Sequence, residues 1–334
     1  MKLFSKFALA SVQGSGGLGF GCMGITAFYG ESMKIEDAKK LLQQVYDGGC
    51  RHFDTAERYA QGKQHNEAVL GEFFKTVPRD SFSVATKFWP GDGVYDYDTV
   101  KAHLVASLKR LGLDYVDLYY AHRVMSLEGG LEFGKTMQKL KAEGLVKEVG
   151  LSEVSGPWLK KIHTEACPID AVQMEWSLMS RSLEEEVIPI CKEFNITVVA
   201  YAPLARQMLA SKVEVAPNDF RATVPRYSAE NVGKNKEVVG SVHDIAEKMG
   251  GTAAQVSLAW LFHKAKELGV TVVPIPGSTK EKNALGNLKS TQISISDEDE
   301  KVLESLAAKI AGDRAPEWYM NMSHETQKDK KQEL

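Results

Sequence analysis

The chain has 334 residues, 43% of them hydrophobic and 25% charged, the balance of an ordinary globular protein able to bury a large core. Its formal charge of −3 gives no electrostatic case for nucleic acid or an anionic membrane as partner, and no apolar run approaches the ~18 residues of a membrane-spanning helix. No two of Cys22, Cys50, Cys167 and Cys191 stand at a C-x2-C spacing, which argues against a metal site and for reduced thiols in the cytoplasm.

Residues 1–10 hold an apolar run broken by Lys6, too short for a signal peptide, and read as a strand or hairpin leading into the fold. Short apolar or β-branched runs then alternate with amphipathic stretches, the signature of repeated strand–helix units. A strand is predicted at 18–22 and a helix at 34–47, which Gly48-Gly49 would end with a left-handed cap. Strand–helix pairs follow at 52–55 and 66–75, 82–87 and 97–111, 116–122 and 130–143, 146–152 and 156–165, then 171–175 and 183–193. A seventh strand at 196–201 opens into a long loop containing Pro203, Pro217 and Pro225, a length usually kept for function. Helices at 235–249 and 253–268 precede an eighth strand at 270–275 and its helix at 280–288. An extra C-terminal helix is predicted at 297–311 with Ser296 as its cap, before a charged, frayed tail at 327–334.

Eight such units predict an α/β protein of one domain, a (β/α)8 TIM barrel with an extra C-terminal helix. The competing architecture is an open doubly wound sheet. A G-x-G-x-x-G match can be forced onto 14–21, but no helix follows at once, so the motif lacks its strand–turn–helix setting.

Barrel enzymes work at the C-terminal ends of their strands. The second strand delivers Asp54, with Tyr59 just beyond it; the third delivers Lys87 and the fourth His122. A free tyrosine, with a pKa of about 10, is a poor acid near neutrality, and a nearby ammonium is expected to lower that value. A carboxylate can hold the ammonium, and a histidine can orient a carbonyl oxygen or relay its proton. The four together suit polarising and protonating a carbonyl group. Each residue taken singly also has a structural reading, as a cap, a loop aromatic, a rim charge or a core histidine.

Several segments resemble the aldo-keto reductase superfamily. They include Gly19-Phe-Gly-Cys-Met-Gly24, Phe53-Asp-Thr-Ala-Glu-Arg-Tyr59 with Asn66-Glu67, Ala85-Thr-Lys87, and Asp117-Leu-Tyr-Tyr-Ala-His-Arg123. Gly150-Leu-Ser-Glu153, Gln173-Met-Glu-Trp-Ser177, Ala200-Tyr-Ala-Pro-Leu204 and Pro274-Ile-Pro-Gly-Ser-Thr-Lys280 continue the likeness, which covers roughly 17–315. The branch most resembled is that of auxin-induced, perakine-type and pyridoxal reductases. The resemblance implies NADPH/NADP+ as cofactor, a small carbonyl substrate, and a catalytic tetrad of Asp54, Tyr59, Lys87 and His122. It implies that nicotinamide stacks on Tyr201, that Ser152 and Gln173 hold its carboxamide, and that Gly21, Cys22 and Met23 line its ribose. Leu204 and Arg206 would cover the pyrophosphate. Ser278, Thr279 and Lys280 would meet the 2′-phosphate, with Asn283 and Asn287 at the adenine end. Lys280 beside a helix N-terminus is also a sound phosphate site on physical grounds.

The sequence departs from the superfamily pattern in three places, one of them Asn283, where the adenine segment usually has arginine. Ser-Asn at the carboxamide becomes Ser152-Glu153, and Pro-Leu-Gly-Arg-Gly-x-Leu-Thr-Gly becomes Pro203-Leu-Ala-Arg-Gln-Met-Leu-Ala-Ser211, without its three glycines. Such losses make some backbone conformations costly. Tyr29, Phe88, Trp89, Trp176 and Trp318 are candidate walls of an apolar substrate pocket. Apart from the cofactor segment, no cationic cluster argues for a heavily charged substrate. A monomer or weak homo-oligomer is expected. The alternative function is an NADPH-binding regulatory subunit resembling the potassium-channel β subunits.

Overall fold

The structure, a computed structural model, describes residues 17–62, 64–210, 215 and 219–327. The expected N-terminal strand or hairpin and the tail from 328 onward lie outside the described residues. Eight parallel strands follow one another around a single sheet: β1 (Phe20–Gly21), β2 (His52–Asp54), β3 (Ser83–Phe88), β4 (Val116–Ala121), β5 (Val146–Ser152), β6 (Ala171–Glu175), β7 (Thr197–Tyr201) and β8 (Val272–Pro274). The first and last strands meet where the Gly19 amide donates to the Pro274 carbonyl at 3.0 Å. The architecture is a (β/α)8 barrel.

The surrounding helices are α1 (Ile35–Asp47), α2 (Asn66–Phe74), α3 (Tyr97–Leu111), α4 (Leu127–Ala142), α5 (Gly156–Glu165), α6 (Leu183–Phe194), α7 (Ala229–Lys248), α8 (Ala253–Leu268) and α9 (Glu281–Leu288). The extra helix, α10 (Asp297–Leu306), starts as expected: the Ser296 hydroxyl accepts from the Asp299 amide. Two helices begin before their apolar repeat does, because a serine caps them earlier. Ser126 accepts from the Gly129 amide ahead of α4, and Ser228 from the Asn231 amide ahead of α7. At the end of α1 the left-handed residue is Gly49 (φ 103°), while Gly48 stays right-handed.

Every side chain of β3 and β4 is buried, as a parallel strand covered on both faces requires. Alternate residues face opposite ways. Ala85, Leu118, Tyr120, Val199 and Val273 fill the barrel interior, while Val84, Phe88, Tyr119, Val172 and Val198 join the larger core beneath the helices. The same alternation turns Lys87 inward between the outward-facing Thr86 and Phe88, and so decides what reaches the site.

Candidate functional site

The tetrad expected from the sequence is assembled at the C-terminal end of the barrel. Lys87 Nζ donates to Asp54 Oδ1 at 2.5 Å, to the Thr55 carbonyl at 2.7 Å and to the Tyr59 hydroxyl at 3.4 Å. Lys87 is wholly buried, Asp54 nearly so, and Tyr59 is 8% exposed. The rings of Tyr59 and His122 meet edge to face at 5.8 Å. The loops carrying these groups are braced from below. Asn66 Nδ2 donates to the Cys22 carbonyl and to Thr26 Oγ1, and its Oδ1 accepts from Thr55 Oγ1 at 2.6 Å. Glu67 accepts from Thr86 Oγ1 at 2.5 Å and from Arg110 Nε at 2.6 Å. The motif residues Asn66 and Glu67 are therefore supports.

The electrostatics correct one expectation. Burial, followed by the charge of Asp54, pushes the Tyr59 phenol well above its ordinary value. The Lys87 ammonium, 3.4 Å from the phenol oxygen and held by Asp54, does not offset that rise. Burial likewise pulls Lys87 down, and Asp54 holds it back. Tyr59 is thus a protonated phenol. Burial, then Arg123, Lys87 and Arg58, push His122 well below the usual histidine range. A neutral His122 can orient an oxygen by hydrogen bonding.

On the far side of the rim, Gln173 Nε2 donates to Asp54 Oδ2 at 2.8 Å and Ser152 Oγ to the Gln173 carbonyl at 3.0 Å, which ties the expected carboxamide pair to the tetrad. A Cβ on Gly21 would stand 2.6 Å from the Ile275 carbonyl, so only glycine lets the two chain segments pass this closely. Cys22 is buried, with its thiol on the Phe20 carbonyl, and Met23 is half-buried beside it. All four cysteines are buried. Ser278, Thr279 and Lys280 form the turn into α9, where the Ser278 hydroxyl accepts from the Lys280 amide at 3.0 Å. Lys280 is exposed and has no ion-pair partner among the described residues, Asn283 is exposed on the first turn, and Asn287 is buried.

At two of the three positions that lost a glycine, 205 and 207, the loop after β7 still has a left-handed backbone, and Ser211 lies outside the described residues. Ala202, Ala205, Arg206 and Gln207 all have φ between 45° and 87°. Leu204 is half-buried at its turn. Arg206 donates to Glu175 at 3.0 Å and lies over the rings of Phe220 and Tyr319.

The tail contributes groups that sequence reading missed. Arg314 pairs with Glu153 at 2.7 Å, Glu175 at 3.2 Å and Glu325 at 2.7 Å, and His324 lies 3.1 Å from Glu153. Against the pull of burial, Arg314 and His324 hold the Glu153 carboxyl well below the usual range, and Arg314 holds Glu325 down to about 2. Tyr201 donates to Glu153 at 2.7 Å and meets the Tyr319 hydroxyl at 2.9 Å. Glu153, at φ 53°, thus faces the tail rather than a carboxamide. Gln327, expected to fray, is buried: it donates to the Val124 and Glu153 carbonyls and accepts from the Ser155 amide.

Of the five expected pocket walls, Trp89 packs on His122 at 5.5 Å under the Arg58 guanidinium, Tyr29 lies under Arg221, and Trp318 is 56% exposed beside Phe220. The other two stand elsewhere. Phe88 points outward onto Tyr95 and Phe133, and Trp176 is fully buried with its ring nitrogen on Glu184. Strand alternation explains Phe88: it is one residue on from the inward Lys87. Phe28, at 6.4 Å from Tyr59, and Phe220 complete the aromatic wall. Phe28 adjoins Tyr29 in sequence, a neighbour that reading could have weighed.

Residues 17–308 match the sequence profile of the Aldo/keto reductase family. The chain is 37% identical over 321 residues to probable aldo-keto reductase 1 of Glycine max, spanning 92% of this chain and 89% of that one. Among solved structures it is similar to a thermostable aldo-keto reductase crystallised with the inhibitor epalrestat, at 28% identity and TM-score 0.70 over 87% of this chain and 94% of that one. It also shares its fold with a Klebsiella pneumoniae aldo-keto reductase crystallised with NADPH, at 24% identity and TM-score 0.69, covering 90% and 92% of the two chains. With the profile matched along most of its length, the chain belongs to the aldo/keto reductase family.

Proposed function

We propose that the chain, as one barrel domain, reduces small aldehydes and ketones to alcohols with NADPH, and that Tyr59 donates the proton. The observation that carries this reading is the buried relay from Gln173 through Asp54 and Lys87 to Tyr59, with neutral His122 beside the phenol. NADPH, when bound, supplies the hydride. His122 orients the carbonyl oxygen, and Tyr59 gives its proton to that oxygen as negative charge builds there. Lys87, held by Asp54, stabilises the phenolate left behind.

The nicotinamide end would be held by Tyr201, Ser152, Gln173, Gly21, Cys22 and Met23, and the pyrophosphate by Leu204 and Arg206. Arg206 leaves Glu175 to do so, and Arg314 on the same carboxylate keeps it paired. Lys280, exposed and without an ion pair among the described residues, suits a 2′-phosphate together with Ser278 and Thr279 at the α9 N-terminus. Asn283 and Asn287 take the adenine end. The NADPH complex of the Klebsiella pneumoniae relative supports the choice of cofactor. The near branch is that of auxin-induced, perakine-type and pyridoxal reductases, and the expected location is the cytoplasm.

Non-glycine residues held left-handed at 205–207 stiffen the loop and favour one second reading, a regulatory subunit that retains its cofactor. The test is NADPH oxidation by purified protein with pyridoxal, 4-nitrobenzaldehyde and methylglyoxal, alongside Tyr59→Phe. Repeated turnover that the variant abolishes is expected. A Tyr59→Phe protein at full rate overturns the mechanism, and one slow turnover without release supports the regulatory reading.

A further inference from the structure

Arg123 follows His122 directly and is 4% exposed. Its Nη1 donates to the His122 carbonyl at 2.5 Å, and its guanidinium carbon lies 4.8 Å from the centre of the Tyr319 ring. Its buried Nε has no hydrogen-bond partner. Two other arginines are buried, and both have carboxylates: Arg314 has Glu153, Glu175 and Glu325, and Arg221 has Asp219. Among the described residues no carboxylate stands within ion-pair distance of Arg123. Glu153, whose field it feels, is already held by Arg314 and His324.

A desolvated guanidinium with an idle donor is costly unless something pairs with it. The place of this one says what that partner is. It adjoins His122, whose ring meets that of Tyr59 at 5.8 Å, and it lies against the Tyr319 ring, whose hydroxyl meets that of Tyr201 at 2.9 Å. The remaining walls, Phe28, Trp89 and Phe220, are apolar rings. An aromatic enclosure with a buried, unpaired guanidinium next to His122 suits a carbonyl compound that carries a carboxylate. Guanidinium matches carboxylate in plane and spacing.

We propose that Arg123 is a specificity-determining residue that binds a carboxylate on the substrate, so that the preferred substrates are small aldehydes or ketones bearing an acid group. This rests on the reductase reading above and narrows it. The test compares kcat/KM, at saturating NADPH, for 4-oxobutanoate and 4-carboxybenzaldehyde, each against its methyl ester. At least one acid is expected to exceed its ester by about tenfold or more, mainly through KM, and Arg123→Met to erase that ratio. Arg123→Lys keeps the charge without the fork and should keep part of the preference. Acids no better than esters in the wild type, or a ratio unchanged in Arg123→Met, overturn the proposal. The acid–ester ratio needs only the native protein and therefore decides even if Arg123→Met does not fold. If no carbonyl is turned over, the reductase reading falls, and benzoate binding to the NADP+-loaded protein decides instead. Saturable tryptophan quenching that Arg123→Lys weakens supports the carboxylate site, and its absence overturns it.

Discussion

The rim of this barrel has two halves built on different principles. The half at β2–β4 hangs Asp54, Lys87 and His122 on or next to strand ends, where the pleat fixes which way each side chain points. The half at β6–β8 draws on a loop with left-handed alanine, arginine and glutamine and on a tail pinned by Arg314. Strand register positions chemistry with few residues. Loop and tail hold a surface only through many ion pairs and tolerated strain. The first half suits a fixed reacting geometry, and the second a cofactor that must enter and leave.

The largest effect should come from the rigid half. Lys87→Met leaves Asp54 buried without its cation and Tyr59 without its partner, and should cut kcat/KM for any accepted aldehyde about a hundred- to ten-thousand-fold. A loss below about threefold would detach Lys87 from the chemistry. Next, Arg314→Met leaves Glu175 with Arg206 and Glu153 with His324 and Tyr201, takes the guanidinium from both, and should cost about 3 kcal/mol. Thermal unfolding measures the loss, and limited proteolysis should show the tail cut before the barrel. Equal cleavage of both would erase the distinction between the halves.

Most of the rigid half was legible because side-chain direction follows from a period of two: Asp54, Lys87 and His122 were found by asking what ends each strand. The same rule, unapplied, would have excluded Phe88. The other half was less legible. Arg314 and His324 stand 161 and 171 positions from Glu153 in sequence yet pair with it in space. No local pattern encodes such a contact. Arg123 escaped notice although it adjoins His122, because an unpaired charge is visible only once its surroundings are known. The early start of α7 was hidden for a different reason: no residue of the helix before Asn235 is buried, and only Ser228 marks the start.

Two smaller predictions sharpen the contrast. The Glu325 carboxyl is held at about 2, below the unfolded glutamate value of about 4.3. Its contribution to stability is therefore present above about pH 4.3 and fades as pH falls towards 2. Glu325→Gln should lower Tm at pH 7 and make little difference near pH 2; a gap that is constant with pH would contradict the ion-pair account. Smallest, Ala205→Gly and Gln207→Gly relieve left-handed strain, and each should change stability by only about 1 kcal/mol, with faster NADPH release in stopped-flow displacement. Slower release would mean that the strain does not limit the loop.

The central claim, that chemistry and cofactor retention reside in separate halves, is tested most directly by measuring the NADPH dissociation constant and kcat together in Tyr59→Phe. The account predicts a dissociation constant within about twofold of the wild type and a kcat lower by about a hundredfold or more. Loss of NADPH binding in step with kcat, or full kcat with binding intact, would contradict it.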